Sequence, residues 1–332
     1  MVMRSFIKFI FLSFLCLWFL IGCVPEAPHS NPLDPYLFST PTGSVITGTV
    51  FSRYQPVQPL KGVMVQLLPD LQIQITDQEG HFEFQNLEPG EYQLIAFRDQ
   101  YLTDTIHVSL DQTDDTEVAN FFLDALPQVV RVHFFSEHID QWWPGEIYQA
   151  VLQIIVNDAD GLSDIDSLHV QIPSLNFQKT MEGTARVDSF VVKIEAGELP
   201  DGSLQYLIET PSFVEIIDKS GGKTMSEPLR LTRIIDVTPL PVSPANLENS
   251  TSSPLFEWQP VALPFSYSHI VQVYRVNTGI PVLIFTSEPL PESPTAYQYP
   301  DSLGSGTYFW TIGILDNLNN FSRSKEASFI VP

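Results

Sequence analysis

Gly80-His81-Phe82-Glu83-Phe84-Gln85-Asn86-Leu87-Glu88-Pro89-Gly90-Glu91-Tyr92-Gln93-Leu94-Ile95-Ala96 reads as two strands and the turn that joins them. Phe82 and Phe84 recur at period two, and Tyr92, Leu94 and Ala96 do so again, so each set lies on one face of an extended chain. Leu87-Glu88-Pro89-Gly90 supplies the turn, with Pro fixing φ and Gly free of a Cβ. Just upstream, Asp77-Gln78-Glu79-Gly80 is a second turn, in which the Asp carboxylate can bond its own backbone. Further out, Val63, Val65 and Leu67 alternate, as do Ile106, Val108 and Leu110. Together with Val45 to Phe51 these runs make a β-sandwich over residues 44–125.

The same period continues down the chain. Val130, Val132 and Phe134 alternate, and Leu152, Ile154 and Val156 share a face of a long apolar run. Leu168, Val170 and Ile172 follow, then Phe190, Val192 and Ile194, giving a second sandwich over residues 126–238. In residues 239–332, Tyr308, Trp310, Ile312 and Ile314 line one face, against which Trp258 is expected to pack. The chain is therefore expected to be all-β, three consecutive β-sandwich domains in series.

Several motifs carry resemblances. Gly48-Thr49-Val50, Pro59-Leu60-Lys61-Gly62-Val63, Thr76-Asp77 with Gly80-His81-Phe82, and Leu87 with Pro89-Gly90-Glu91-Tyr92 resemble the carboxypeptidase regulatory-like domain, a transthyretin-like sandwich. The resemblance implies a non-catalytic module. The zinc peptidase for which it is named needs His-x-x-Glu, and none of the seven histidines has Glu three residues on. The middle segment is similar to immunoglobulin-like sandwiches, without their Cys…Trp…Cys signature. Pro241-Val242-Ser243-Pro244-Ala245-Asn246, Phe256-Glu257-Trp258 and Gly306-Thr307-Tyr308-Phe309-Trp310 resemble the fibronectin type III pattern of bacterial surface proteins.

The N-terminus sets the expected compartment. Arg4 and Lys8 precede an apolar run from Phe9 to Ile21, and Gly22 stands before Cys23, the order of a secretory signal over residues 1–22. The run is short for a bilayer span, which needs about 20 apolar residues. Leu20-Ile21-Gly22-Cys23 resembles the bacterial lipobox, which implies cleavage before Cys23 and acylation of its thiol and new amine. Val24 in place of Asp implies an outer-membrane destination in that family. Residues 23–43, with Pro25, Pro28, Pro32, Pro35 and Pro41, read as an extended tether. The expected partner at this end is the membrane, reached through lipid.

Composition excludes much. The formal net charge is −23, and the leader removes only basic residues, so nucleic acid is not an expected partner. Cys16 leaves with the leader and Cys23 goes to lipid, which leaves no thiol for disulfides, thiolate metal sites or catalysis.

Two stretches hold candidate chemistry. Asn157-Asp158-Ala159-Asp160-Gly161-Leu162-Ser163-Asp164-Ile165-Asp166 is the densest oxygen cluster. Asp158, Asp160, Asp164 and Asp166 could ligate calcium, which takes six to eight oxygens, yet the spacing departs from an EF-hand and the same residues serve as an ordinary solvated turn. Gln141-Trp142-Trp143-Pro144-Gly145 offers two aromatics to a sugar or protein surface, or alternatively a plug for the sandwich end. His133 and His138, five apart on one strand, face opposite ways and do not form a metal pair. Ser322-Arg323-Ser324-Lys325 matches Ser-x-x-Lys without the companion motifs of an acylation site. No nucleophile elbow, zinc helix or phosphate loop occurs. The expectation is a non-enzymatic, lipid-anchored envelope protein without a cofactor, structural calcium at the acidic loop being left open, that binds or scaffolds a protein or glycan. A hydrolase with an acidic pair in an interdomain cleft and a periplasmic assembly component are the rival readings.

Overall fold

The computed structural model describes residues 43–54 and 56–332. Cys23, the leader and almost all of the tether lie outside them. The chain is all-β and forms three β-sandwiches in sequence, each with its own buried apolar core. Among the described residues no helix is long and apolar enough to cross a membrane.

In the first sandwich, β1 (Ser44–Ser52), β4 (His81–Leu87), β7 (Thr116–Val118) and β8 (Phe121–Leu123) make one sheet. The facing sheet runs β3 (Gln72–Ile75), β2 (Met64–Leu68), β5 (Gly90–Phe97), β6 (Asp104–Leu110). The alternation read from the sequence is what fills the space between them: Val63, Val65, Leu67, Phe82, Phe84, Tyr92, Leu94 and Ala96 are all buried. The Asp77 turn works through its carboxylate, which accepts from the backbone N–H of Glu79 (3.0 Å) and His81 (2.8 Å). Gly80 sits at φ 74°, where a Cβ would meet the Val50 carbonyl oxygen at 2.6 Å, so only glycine fits that turn.

The second sandwich pairs β13 (Glu182–Gly183), β14 (Ser189–Glu195), β10 (Ile147–Asn157) and β9 (Gln128–Ile139) against β12 (Phe177–Thr180), β11 (Ile165–Ile172), β15 (Phe213–Asp218) and β16 (Lys223–Met225). The third sets β17 (Pro241–Ser243), β19 (Leu255–Trp258) and β22 (Ala296–Gln298) over β20 (Tyr267–Asn277), β21 (Ile280–Thr286), β23 (Gly306–Asp316), β24 (Phe321–Arg323) and β25 (Ala327–Val331), with β18 (Glu248–Asn249) on β25. Trp258, Tyr308, Trp310 and Ile312 share its core, and the Trp310 indole N–H donates to the Pro244 carbonyl at 2.8 Å. Ile314, on the same face of β23, leaves that core and packs instead with Ile235 and Tyr267 in a small cluster.

One feature has no counterpart in the sequence pattern. β24 pairs in parallel with β9, in register Phe321–Glu137, Ser322–His138 and Arg323–Ile139, so one ten-stranded sheet runs through the second and third sandwiches. The seam is bonded from both sides. Asn320 Oδ1 accepts from the Ser136 N–H (2.8 Å) and hydroxyl (3.1 Å), and the Asp140 N–H donates to the Arg323 carbonyl (2.9 Å). Arg233 meets the fully covered Asp316 carboxylate at 2.9 Å. By contrast the sheets of the first sandwich end at the first sandwich, and loops join it to the second.

Candidate functional site

The acidic loop lies at that first junction. It connects β10 to β11, and it meets the linker from β8 to β9 and the turn from β15 to β16. Asp160 Oδ2 accepts from the Ala125 N–H at 2.5 Å, which fastens the loop to the linker. The Tyr54 hydroxyl, from the first sandwich, bonds the Ser220 hydroxyl (2.8 Å), and Ser220 donates to Asp124 Oδ1 (3.0 Å). Asp218 Oδ1 accepts from the N–H groups of Ser220 (2.9 Å) and Gly222 (2.7 Å). These contacts collect carboxylates from three separate stretches of chain.

Four of them are deeply covered: Asp124 is 2% exposed, Asp158 6%, Asp164 4% and Asp218 2%. In each, one carboxylate oxygen has no hydrogen-bond partner. Burial pushes Asp124 up to about 6 against the pull of the Ser220 hydroxyl, and the charges of Asp218 and Asp164 add to the rise. Burial also pushes Asp158 up to about 6, opposed by the Asp160 N–H and reinforced by the charges of Asp160, Asp164 and Asp218. Asp164 is raised too, by burial first, against the Tyr54 hydroxyl and the Lys219 charge and with the charges of Asp218 and Asp160. The cluster therefore holds mutually repelling charge that solvent does not relieve.

The set differs from the one expected within the loop. Asp158 and Asp164 are in the cluster, and Asp160 orients the linker from its edge. Asp166 is not in it: it is exposed on β11 and accepts from the Ser167 hydroxyl at 3.2 Å. Asp124 and Asp218 take its place, from 34 residues before Asp158 and 54 after Asp164 in the chain. Sequence spacing carried no signal for either, because only the fold brings them to the loop. Among the described residues no three His, Cys, Asp or Glu side chains are grouped so as to hold a metal ion as they stand. What marks the cluster is charge without partners.

The tryptophan pair lies elsewhere, in the loop between β9 and β10. Trp142 is 70% exposed and Trp143 85%, so neither plugs a sandwich end. Trp142 is held against the third sandwich: its backbone N–H donates to the Glu326 carboxylate (3.0 Å) and its indole N–H to the Glu326 carbonyl (3.3 Å). The Lys325 ammonium lies 4.3 Å from the centre of its ring, and also pairs with Asp140 at 3.6 Å. Trp143 is left with both faces to solvent. Three residues on, Glu146 begins an open groove lined by Tyr148, Glu195 and Gly202.

The remaining candidates have structural partners. His138 bonds Glu146 at 2.5 Å and stacks near Tyr148, while His133 stands exposed on the same strand. Ser322, the serine of Ser-x-x-Lys, is buried in β24 and donates to the Val237 carbonyl at 2.6 Å. Lys325 faces Trp142 rather than that hydroxyl.

A family model for the second β-sandwich domain of NOMO1-like BOS complex subunits matches residues 42–122, about the first sandwich. No curated protein matches the chain. Among solved structures, the FN1–FN3 domains of chicken CNTN1 are 11% identical, covering 88% of this chain and 99% of theirs, with a TM-score of 0.34. A DUF3823 family protein from Bacteroides ovatus is 13% identical, covering 57% of this chain and 100% of its own (TM-score 0.26). A protein from Bacteroides uniformis titled as a putative carbohydrate binding protein is 8% identical, over 57% of this chain and 100% of its own (TM-score 0.23). Likeness at this level does not reach the residues of either site.

Proposed function

We propose that this chain is a non-enzymatic, lipid-anchored envelope protein whose sandwiches carry the Trp142–Trp143 loop to a glycan or protein partner. The observation that carries the reading is the exposure of two adjacent indoles on a loop fixed at Trp142 by Glu326 and Lys325. A folded chain gains nothing from leaving such rings in water, whereas a partner stacked on them buries up to about 150–250 Å² per ring. Fixing one indole beforehand lowers the ordering cost of binding. The carboxylates of Glu146 and Glu195 in the neighbouring groove suit sugar hydroxyls or a basic protein surface. The seam between the second and third sandwiches supports the reading, since it holds the loop and its Glu326 anchor in one body.

Anchoring rests on Cys23 and the leader before it. Two acyl chains or more make membrane attachment stable, at about 0.8 kcal/mol per buried methylene. Cys23→Ser is expected to release the chain from the membrane fraction. Protease treatment of intact cells, with lysed cells as control, distinguishes display outside from service in the periplasm. For the loop, Trp142→Ala with Trp143→Ala is expected to weaken capture of glycan or protein partners by about 30-fold, the equivalent of about 2 kcal/mol. Capture unchanged by the double substitution, in a chain that still folds, discards the loop as the binding surface.

A further inference from the structure

We propose that the junction between the first and second sandwiches binds a calcium ion through Asp124, Asp158, Asp164 and Asp218, and that the ion clamps the two sandwiches together. Three of these carboxylates use one oxygen to hold the local backbone or a neighbouring hydroxyl: Asp124 to Ser220, Asp158 to the Asp160 N–H, Asp218 to the N–H groups of Ser220 and Gly222. Their second oxygens, and one of Asp164, are buried and unpaired. Those three carboxylates are thus oriented by one atom and left open at the other, and Asp164 adds a further open oxygen.

The cations nearby do not answer this charge. Lys219 sends its ammonium to the Ser163 carbonyl and reaches Asp164 only as a neighbouring charge, as Arg53 does Asp124; neither bonds an open oxygen. Several carboxylates held out of water, each with one oxygen unanswered, destabilise the junction, and a bound divalent ion relieves that. At Gly222 an added Cβ would fall 2.2 Å from the unpaired Asp218 oxygen, so only glycine lets that carboxylate take its position at the junction. An all-oxygen set borne by loops suits calcium, which accepts six to eight oxygens in irregular geometry; magnesium demands a tighter octahedron, and zinc favours nitrogen and sulfur. The four side chains do not surround one point as they stand, so the ion would draw their open oxygens together, with backbone carbonyls and water completing the shell.

The consequence is mechanical. Asp124 belongs to the linker leaving the first sandwich, and Tyr54 reaches the same turn through Ser220. The other three carboxylates belong to the second sandwich. An ion shared among them adds the rigid connection that β24 already provides at the far end. This inference is independent of the partner that Trp142 and Trp143 would take.

The test uses the full chain, stripped with chelator and titrated with calcium chloride alone. One saturable site per chain is expected by calorimetry, with a melting transition raised by several degrees at saturation. Asp164→Asn and Asp218→Asn are expected to weaken binding at least about tenfold while melting no lower than the wild type in chelator, because each removes an unpaired charge. A fluorophore pair placed on the first and second sandwiches should narrow its distance distribution with calcium in the wild type and not in the variants. Absence of heat and of any melting shift in the wild type overturns the proposal. So does equal binding by the Asn variants, which would put the ion elsewhere on the acidic surface. A magnesium response equal to that of calcium refutes the calcium assignment.

Discussion

Asn320→Ala tests whether the second and third sandwiches unfold as one unit. Asn320 is buried at the start of β24, and its Oδ1 receives both the backbone N–H and the hydroxyl of Ser136 on β9. Its Nδ2 donates to Asp316 Oδ2 at 2.9 Å, the oxygen that also takes Arg233. Alanine removes the acceptor from a backbone N–H that water does not reach, which costs about 1–3 kcal/mol. The Ser136 hydroxyl can turn to another acceptor, and Asp316 keeps Arg233, so those losses are smaller. The space left by the amide adds about 1 kcal/mol, for a total of about 2–4 kcal/mol. Urea unfolding followed by the emission of buried Trp258 and Trp310 reads the third sandwich, and circular dichroism reads all three. The midpoint should fall, and the two probes should separate as the seam loosens. Asn320→Asp sharpens the test: it keeps the acceptor but turns a carboxylate toward Asp316, so at neutral pH it should cost at least as much as alanine. The exposed Asn277→Ala, at the end of β20, serves as control. A loss of less than about 0.5 kcal/mol in Asn320→Ala, with coincident probes, would show that the β9–β24 seam does not couple the sandwiches.

Two further outcomes follow from close packing and from a buried histidine. Gly48→Ala would place a Cβ 1.9 Å from the Ala119 carbonyl oxygen and 2.8 Å from the Phe82 ring, so β1 must separate from the chain between β7 and β8. A loss of about 3 kcal/mol or more is expected in the first sandwich, measured by thermal unfolding; an unchanged transition would mean the strands approach less closely than described. His269 is buried between Trp258 and Tyr267, and burial holds its pKa below the ordinary histidine value, against the pull of the Pro291 carbonyl and Glu292. Its folded pKa is lowered, so the unfolded chain takes the proton first and stability is lost as pH falls below about 6.5. Comparing wild type with His269→Gln at about pH 7.5 and about pH 5.5 should show the steeper loss in the wild type, and parallel losses would remove His269 as the cause.

What was legible in the chain was whatever a strand carries by itself. Alternation at Phe82 and Phe84, or at Tyr308, Trp310 and Ile312, states which face is buried, because the side-chain period of an extended chain is fixed by its geometry. The Asp77 turn was legible for the same reason, since its hydrogen bonds close within four residues. The parallel pairing of β24 with β9 was not. Phe321 to Arg323 is too short to show a period, and its partner lies 184 residues earlier in the chain. The acidic site falls between these cases. Asp158 and Asp164 were visible as loop carboxylates, but Asp166 is the second residue of β11 and its exposure follows from that strand's alternation rather than from its place in the motif. Asp124 and Asp218 sit at the ends of other strands and look like ordinary turn residues until the sandwiches meet. Asp218 shows the difference most plainly. One of its oxygens binds the turn in which the residue sits, a role any strand-end Asp fills, while the charge of the carboxylate acts on Asp124 and Asp158 in two other segments. The local role and the tertiary role belong to one side chain, and only the first leaves a trace in the neighbouring sequence.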